Sequence, residues 1–244
     1  MLIPPNLIAN ADDFGSKSSV NQAVLLCYQL GYINSASLIV NHPGFFEAVD
    51  MIHTHDVITN IGLHVNFADG KPVTNFDNND YLTADGHWDL KKTNRKINFL
   101  DRATTKLFFA EIEAQVNKVI DAKVKLLHID SHYHLHTLPC FYRLFLQVAH
   151  KYSLKIRLAQ TYNNGNYEKY MFRNYVNKQV KKSKTNYTDL FETIDHFLDI
   201  PPVNQNHLLT EVMLHPDLAD NGILTDHFSA SDMTKWVDFL NNNI

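Results

Sequence analysis

The sequence predicts an α/β fold built on a parallel sheet, either closed as a barrel or left open and doubly wound. Three observations predict it. Short apolar runs exchange with stretches of helical periodicity along the whole chain. The 244 residues suit one domain spanning 1–244 better than two, and 45% hydrophobic residues supply its core. Finally, acids, imidazoles and a guanidinium stand where the apolar runs end, which is where ligands meet a parallel sheet.

The elements follow in order. Leu7-Ile8-Ala9-Asn10 is a short strand stopped by Asp12-Asp13. Val20, Ala23, Val24, Cys27 and Tyr28 recur at three- and four-residue steps, so they form one apolar helix stripe closed by Gly31. Ser37 to Val40 is a second strand; Pro43 opens a helix carrying Phe46, Val49 and Ile52; Ile58 to Val65 is a third strand. The connection from 66 to about 103 holds the turn signals Asp69-Gly70 and Asp85-Gly86 and a basic cluster at Lys91, Lys92, Arg95 and Lys96, and it is expected to shape the pocket. Helix resumes with Phe109, Ile112, Val116, Val119 and Ile120 and leads into strand four, Val124 to Asp130. Pro139 begins a helix through Ala149, and Leu154 to Leu158 is strand five. Residues 160–186 are polar and lysine-bearing, and they read as a solvated insertion. A helix over Leu190 to Leu198, a break at Pro201-Pro202, a strand from Thr210 to Leu214 and a helix around Met233 to Leu240 complete the chain.

Composition narrows the function classes. With 22 Lys and Arg against 26 Asp and Glu the net charge is −4, without the basic excess of a nucleic-acid binder. No window approaches the ~18 apolar residues that span a bilayer. The N-terminal Met1 to Asn6 lacks the basic region of a secretory signal. A cytoplasmic protein with neither nucleic acid nor membrane as partner is expected, its oligomeric state, including a homo-oligomer, being open. Cys27 and Cys140 lie among apolar residues and read as buried free thiols.

The 14 histidines are the unusual feature, and they cluster at strand ends. Strand one ends in Asp12-Asp13, strand three in His64 and Asn66, strand four in Asp130, His132, His134 and His136, strand five after Arg157, and strand six in His215. If strand geometry persists, residues 128, 130, 132, 134 and 136 share one face. Such a comb of imidazole and carboxylate is too hydrophilic for a packed core and suits a divalent metal with an open position. The adjacent acids Asp12 and Asp13 would then diverge, one toward the metal and one toward the substrate. A carboxylate beside an acidified water can take its proton, so metal-assisted hydrolysis is the reaction class this arrangement serves best. Arg157 is a candidate to orient Asp12 by a charged hydrogen bond, and Phe67, Trp88 and Tyr133 are candidates to stack on a sugar ring, although packing in core or rim is the commoner use of such side chains.

These residues carry a resemblance. Asn10-Ala11-Asp12-Asp13-Phe14-Gly15, Ser35 to Asn41, Gly62-Leu63-His64-Val65-Asn66, His128 to His136 and Glu211-Val212-Met213-Leu214-His215-Pro216 together resemble, in order, the blocks of the YdjC-like carbohydrate deacetylases. The resemblance implies an irregular TIM-like β/α barrel that removes the acetyl group from an N-acetylated amino sugar or short oligosaccharide with one divalent metal ion, Mg2+ or Zn2+. It also implies Asp13, His64 and His132 as metal ligands, Asp12 as general base and His215 as general acid, and it chooses His132 over His134, which spacing alone leaves open. Tyr133 and Leu214 depart from the family pattern, and neither is a proposed ligand. The short C-terminal segment leaves strand number and barrel closure open. A phosphoesterase or other amidohydrolase, and a sugar-binding barrel without catalysis, are the alternatives.

Overall fold

The computed structural model describes residues 3–95, 99–163, 165–200 and 207–242. Lys96, the Pro201-Pro202 break and the first and last two residues lie outside the described residues. Seven strands form one parallel sheet: β1 (Leu7–Phe14), β2 (Ser35–Leu38), β3 (Ile61–Val65), β4 (His128–Ser131), β5 (Lys155–Ile156), β6 (Leu190–Thr193) and β7 (Thr210–Leu214), in the order β5-β4-β3-β2-β1-β7-β6. An antiparallel hairpin, β8 (Pro216–Leu218) and β9 (Leu224–Asp226), follows β7.

The segments next to the two outer strands of this order meet. Ile156 N donates to Thr185 O (2.6 Å), Tyr187 N to Ile156 O (3.0 Å) and Thr161 N to Phe191 O (3.1 Å), so β5 and the run into β6 form a short seam. The curled sheet is thereby an irregular barrel, in agreement with the fold class that the sequence predicts.

Eight helices are described: α1 (Ser18–Leu30), α2 (Phe45–Thr54), α3 (Leu90–Thr93), α4 (Arg102–Asp121), α5 (Tyr142–Tyr152), α6 (Tyr167–Lys182), α7 (Ile194–Leu198) and α8 (Ala230–Asn242). Helix α1 buries Val20, Ala23, Val24, Cys27 and Tyr28, the stripe read from its spacing, and ends at Gly31 in the left-handed conformation (φ 73°). None of the described helices is long and apolar enough to cross a membrane. Cys27 is buried and Cys140 half-buried, both free.

Four expectations need correction. The polar stretch 160–186 contains the 16-residue α6, which buries only Arg173, Val176, Asn177 and Val180 and so shows a weak periodic signal. Residues 190–198 are a strand followed by a short helix, because Phe191 and Glu192 enter the sheet beside β7 before the chain turns at Thr193. The described residues of the 66–103 connection do not line the main cavity, since its backbone is tied away to α4: Glu111 accepts from Val73 N and Thr74 N (both 2.8 Å), and Gln115 bonds both backbone groups of Asn66 (both 3.0 Å). Phe67 and Trp88 are core residues, packed with Phe76, Phe108 and Phe141. Of the three aromatic candidates only Tyr133 reaches the cavity.

Candidate active site at the carboxyl ends of the strands

The first site residues arise from a break in β1. The strand pairs regularly with β2 as far as Ala11, then the register shifts before Phe14, and Asp13 adopts φ 63°. An unbroken pleat would send neighbouring side chains to opposite faces. The bulge removes that alternation, so Asp12 and Asp13 do not diverge as regular strand geometry requires, and both face one cluster.

Asp12 is buried and held on both oxygens: Arg157 donates Nη1 to Oδ2 (2.7 Å) and Nη2 to Oδ1 (2.6 Å), and Asn10 Nδ2 donates to Oδ1 (2.8 Å). Burial pushes its pKa up, but the Arg157 guanidinium and His64 outweigh this and hold it below the usual carboxylate range. Arg157 comes from the extension of β5, is fully buried, and also reaches Asp130 (2.8 Å) and Glu211 (2.7 Å). The orienting role suggested for it has this bidentate geometry behind it.

Asp13 lies beside three imidazoles. Its Oδ1 is 2.9 Å from His132 Nδ1 and 3.4 Å from His64 Nε2, and its Oδ2 is 3.2 Å from His227 Nε2. Burial raises its pKa, yet the imidazoles of His132, His227 and His64 hold it well below the ordinary value. His64 projects from β3 with Nδ1 2.7 Å from Asp130 Oδ1. This makes Nδ1 the donor to Asp130 and turns Nε2 toward Asp13. Burial opposes charge on His64, while Asp130 and Asp12 lift its pKa to about 10, which reports a site strongly attractive to cations.

Whether these groups fit a metal can be judged from the atoms. One donor each from Asp13, His64 and His132 lies within 4.8 Å of the others, and Asp13 Oδ1 is buried without a hydrogen-bond partner despite its near neighbours. A buried carboxylate oxygen that converges with two imidazole nitrogens fits a shared cation, and the mixed N/O set suits Zn2+ or a harder divalent ion. A second grouping, Asp12, His64 and Asp130, is equally compact, but the Arg157 guanidinium is already paired with both of its acids.

The histidine-rich block departs from the expected comb. The strand stops at Ser131, and 132–137 turn as 3-10 helix with Tyr133 (φ 53°) and His134 (φ 55°) left-handed. His132 therefore enters the site from a turn. His136 is buried with Nδ1 2.8 Å from Ser131 Oγ, and burial lowers both His134 and His136 to about 3. His128 bonds Ser37 Oγ (3.1 Å) and stacks on Tyr187 behind Asp130. Gly62 is required opposite it, because a Cβ there would stand 2.2 Å from His128 Nε2.

His215, just beyond β7, has Nε2 4.0 Å from Asp12 Oδ2, and its Nδ1 is 3.8 Å from Asp226 Oδ2. Burial lowers its pKa, but Asp226, Asp12 and Asp13 together raise it above the ordinary value. A cavity of about 320 Å³ opens over Asp12, His64, His132 and His215, with Tyr133 and Phe228 on its wall. The structure thus brings Asp12, Asp13, His64, His132, Arg157 and His215 together. Sequence reasoning missed Asp226 and His227, which sit at the end of the β8–β9 hairpin; the Asn221-Gly222 turn pair was their signal.

A parallel barrel carrying acids and imidazoles at the carboxyl ends of its strands is the framework of a barrel enzyme. The chain belongs to the YdjC-like family, whose family model matches residues 6–240. The carbohydrate deacetylase of Brevibacillus brevis is 29% identical over 234 residues, covering 96% of this chain and 90% of that protein. The carbohydrate deacetylase of Thermoanaerobacter pseudethanolicus is 31% identical over 62% of this chain and 59% of its own length. The crystal structure of an Enterococcus faecalis protein named for cellobiose-phosphate cleavage superposes with a TM-score of 0.72 at 20% identity, covering 98% of this chain and 93% of that one, and shares the fold.

Proposed function

We propose that the protein, as one domain over residues 1–244, is a metal-dependent carbohydrate deacetylase that hydrolyses the acetamide of an N-acetylated amino sugar or short chitooligosaccharide. The observation that carries this reading is the unpartnered Asp13 Oδ1 beside His64 and His132, two imidazoles that line one cavity together with Asp12 and His215. Asp13, His64 and His132 would hold the metal, Mg2+ or Zn2+. When bound, the ion supplies a Lewis acid that polarises the acetyl carbonyl and acidifies the attacking water.

The remaining work falls to this chain's own side chains. Asp12 Oδ2 accepts the proton released as water adds to the carbonyl; its low pKa keeps it ionised, and Arg157 fixes its direction. His215 Nε2 gives a proton to the departing amine, and its raised pKa keeps that proton available. The two groups stand 4.0 Å apart, close enough to serve the two ends of one amide bond. His134 and His136, held neutral by burial, lack the acidic proton of an imidazolium. Tyr133, about half exposed at the cavity, offers a ring face to the sugar.

A phosphoesterase would call for a cation facing the phosphate, and among the described residues lining the cavity there is neither Lys nor Arg. Acetate release from diacetylchitobiose and longer N-acetylglucosamine oligomers, measured before and after chelation and again after Zn2+ or Mg2+ is restored, tests the reading. Metal-restored release is expected. Binding of the oligomers without release would leave a sugar-binding barrel, and release indifferent to chelator would remove the metal.

A further inference from the structure

The β8–β9 hairpin ends in three consecutive residues that each meet the site. Asp226 Oδ2 accepts from His215 N (2.6 Å), His227 Nε2 stands 3.2 Å from Asp13 Oδ2, and the Phe228 ring lies 4.3 Å from that of His215. Their placement is fixed by backbone. His227 N donates to His215 O (3.1 Å), and Asp226 Oδ1 accepts from Phe228 N (3.0 Å) and Ser229 N (3.2 Å).

The two oxygens of Asp13 are therefore in different surroundings. Oδ1 faces two imidazoles, His132 (2.9 Å) and His64 (3.4 Å), whereas Oδ2 faces one, His227 (3.2 Å). His227 is not part of the compact donor triad, and its side chain is 26% exposed, against 2% for His64. A carboxylate that is free on both oxygens can chelate a cation with both and occupy a coordination position the substrate needs. A proton donor on one oxygen opposes that.

We propose that His227 is a positioning residue for the metal site: its Nε2–H holds Asp13 Oδ2 and confines the carboxylate to binding a cation through Oδ1 alone. The inference rests on the metal reading above. It concerns an outer-shell hydrogen bond of the kind whose loss lowers metal affinity about 10- to 100-fold. It also gives the hairpin a purpose, since the same three residues hold the proposed acid, the proposed metal ligand and the cavity wall.

The test compares the full-length protein with His227→Phe and His227→Ala, which lack the donor, and His227→Gln, whose amide N–H can occupy the place of Nε2–H. Folding of each metal-free variant is checked by thermal denaturation, and either donor-less variant suffices. Zn2+ affinity is read by competition with a chromophoric chelator, and coordination number by the visible spectrum of the Co2+-loaded protein. The expected result is an affinity about 10- to 100-fold weaker in the donor-less variants. Their Co2+ bands should weaken as coordination number rises, while His227→Gln keeps both properties close to the unaltered protein. Donor-less variants with unchanged affinity and spectrum would overturn the inference while leaving the metal reading intact. Equal loss in His227→Gln would overturn it in favour of His227 as a direct ligand. Failure of the unaltered protein to bind either metal would remove the metal reading, and this inference with it.

Discussion

Replacing Arg157 by Met should destabilise the fold in a manner that depends on pH. The guanidinium is fully buried, meets Asp12 twice (2.6 and 2.7 Å), Asp130 (2.8 Å) and Glu211 (2.7 Å), and lies 4.8 Å from the centre of the Phe191 ring. Met retains much of the apolar stem and its packing, so the loss is chiefly electrostatic. Removing one partner of a buried ionic group typically costs about 3–5 kcal/mol, because the other charge stays behind. Here three carboxylates stay behind. Burial already lifts Glu211 to about 7 against the pull of Arg157, and without the guanidinium all three acids should titrate higher. A carboxylate whose folded pKa exceeds its unfolded value binds protons more tightly when folded, so its penalty is largest at high pH and fades as pH falls toward the unfolded value. Urea unfolding of both proteins at about pH 8 and about pH 5.5 measures this. A deficit of about 3–5 kcal/mol is expected at the higher pH, and clearly less at the lower. A deficit below about 1 kcal/mol at the higher pH, the scale of a surface pair, or equal deficits at both, would refute the assignment of Arg157 as the charge balance of this core.

The remaining expectations concern proton transfer, packing and titration. Asp12→Asn should retain metal, by elemental analysis, yet lose about 10²–10⁴ in kcat; an equal loss of metal would mean that Asp12 is a ligand. Because Asp226 and Asp12 raise the His215 pKa against the effect of burial, the alkaline limb of the rate profile should lie above the ordinary imidazole range. His215→Gln should abolish that limb and Asp226→Asn move it down, so a limb persisting in His215→Gln would identify another acid. Gly62→Ala places a Cβ 2.2 Å from His128 Nε2, and overpacking of this kind should lower stability by about 1–3 kcal/mol; recovery on adding His128→Ala would trace the loss to that clash, and no loss would disprove it. Burial raises Glu192 to about 7, so the stability it contributes is present at low pH and lost as pH rises through that value. Glu192→Gln should therefore be more stable than the unaltered protein by about 1–3 kcal/mol near pH 8 and indistinguishable from it near pH 4.5, and a difference that does not change with pH would show the carboxylate to be well solvated.

What was legible in the sequence is what the parallel sheet enforces. Asp12, His64, Arg157 and His215 sit at or just beyond the carboxyl ends of their strands, so locating strand ends was enough to gather them. What was not legible depended on departures from regular geometry. Tyr133 and His134 turn through left-handed backbone without a Gly or Asn to announce it, so a period-two comb was inferred where the chain coils. Leu190, Ile194, Phe197 and Leu198 recur at helical spacing, although the first belongs to a strand and the others to a helix. Asp226 and His227 depend on a hairpin whose strands are three residues each, too short for alternation to show. Phe67 and Trp88 fit a sugar platform by type, but packing between the 66–103 connection and Phe108 of α4 claims them.

The left-handed backbone at Asp13 (φ 63°) sets two kinds of fitness against each other. A side chain held there costs of order 1–3 kcal/mol, and glycine would relieve it while deleting the carboxylate that faces His64 and His132. Thermal robustness and turnover therefore have different optima at one residue. A population selected in the laboratory for heat resistance alone should drift toward Gly at this position, and one selected for turnover should hold Asp against that gradient and recover stability elsewhere in the barrel.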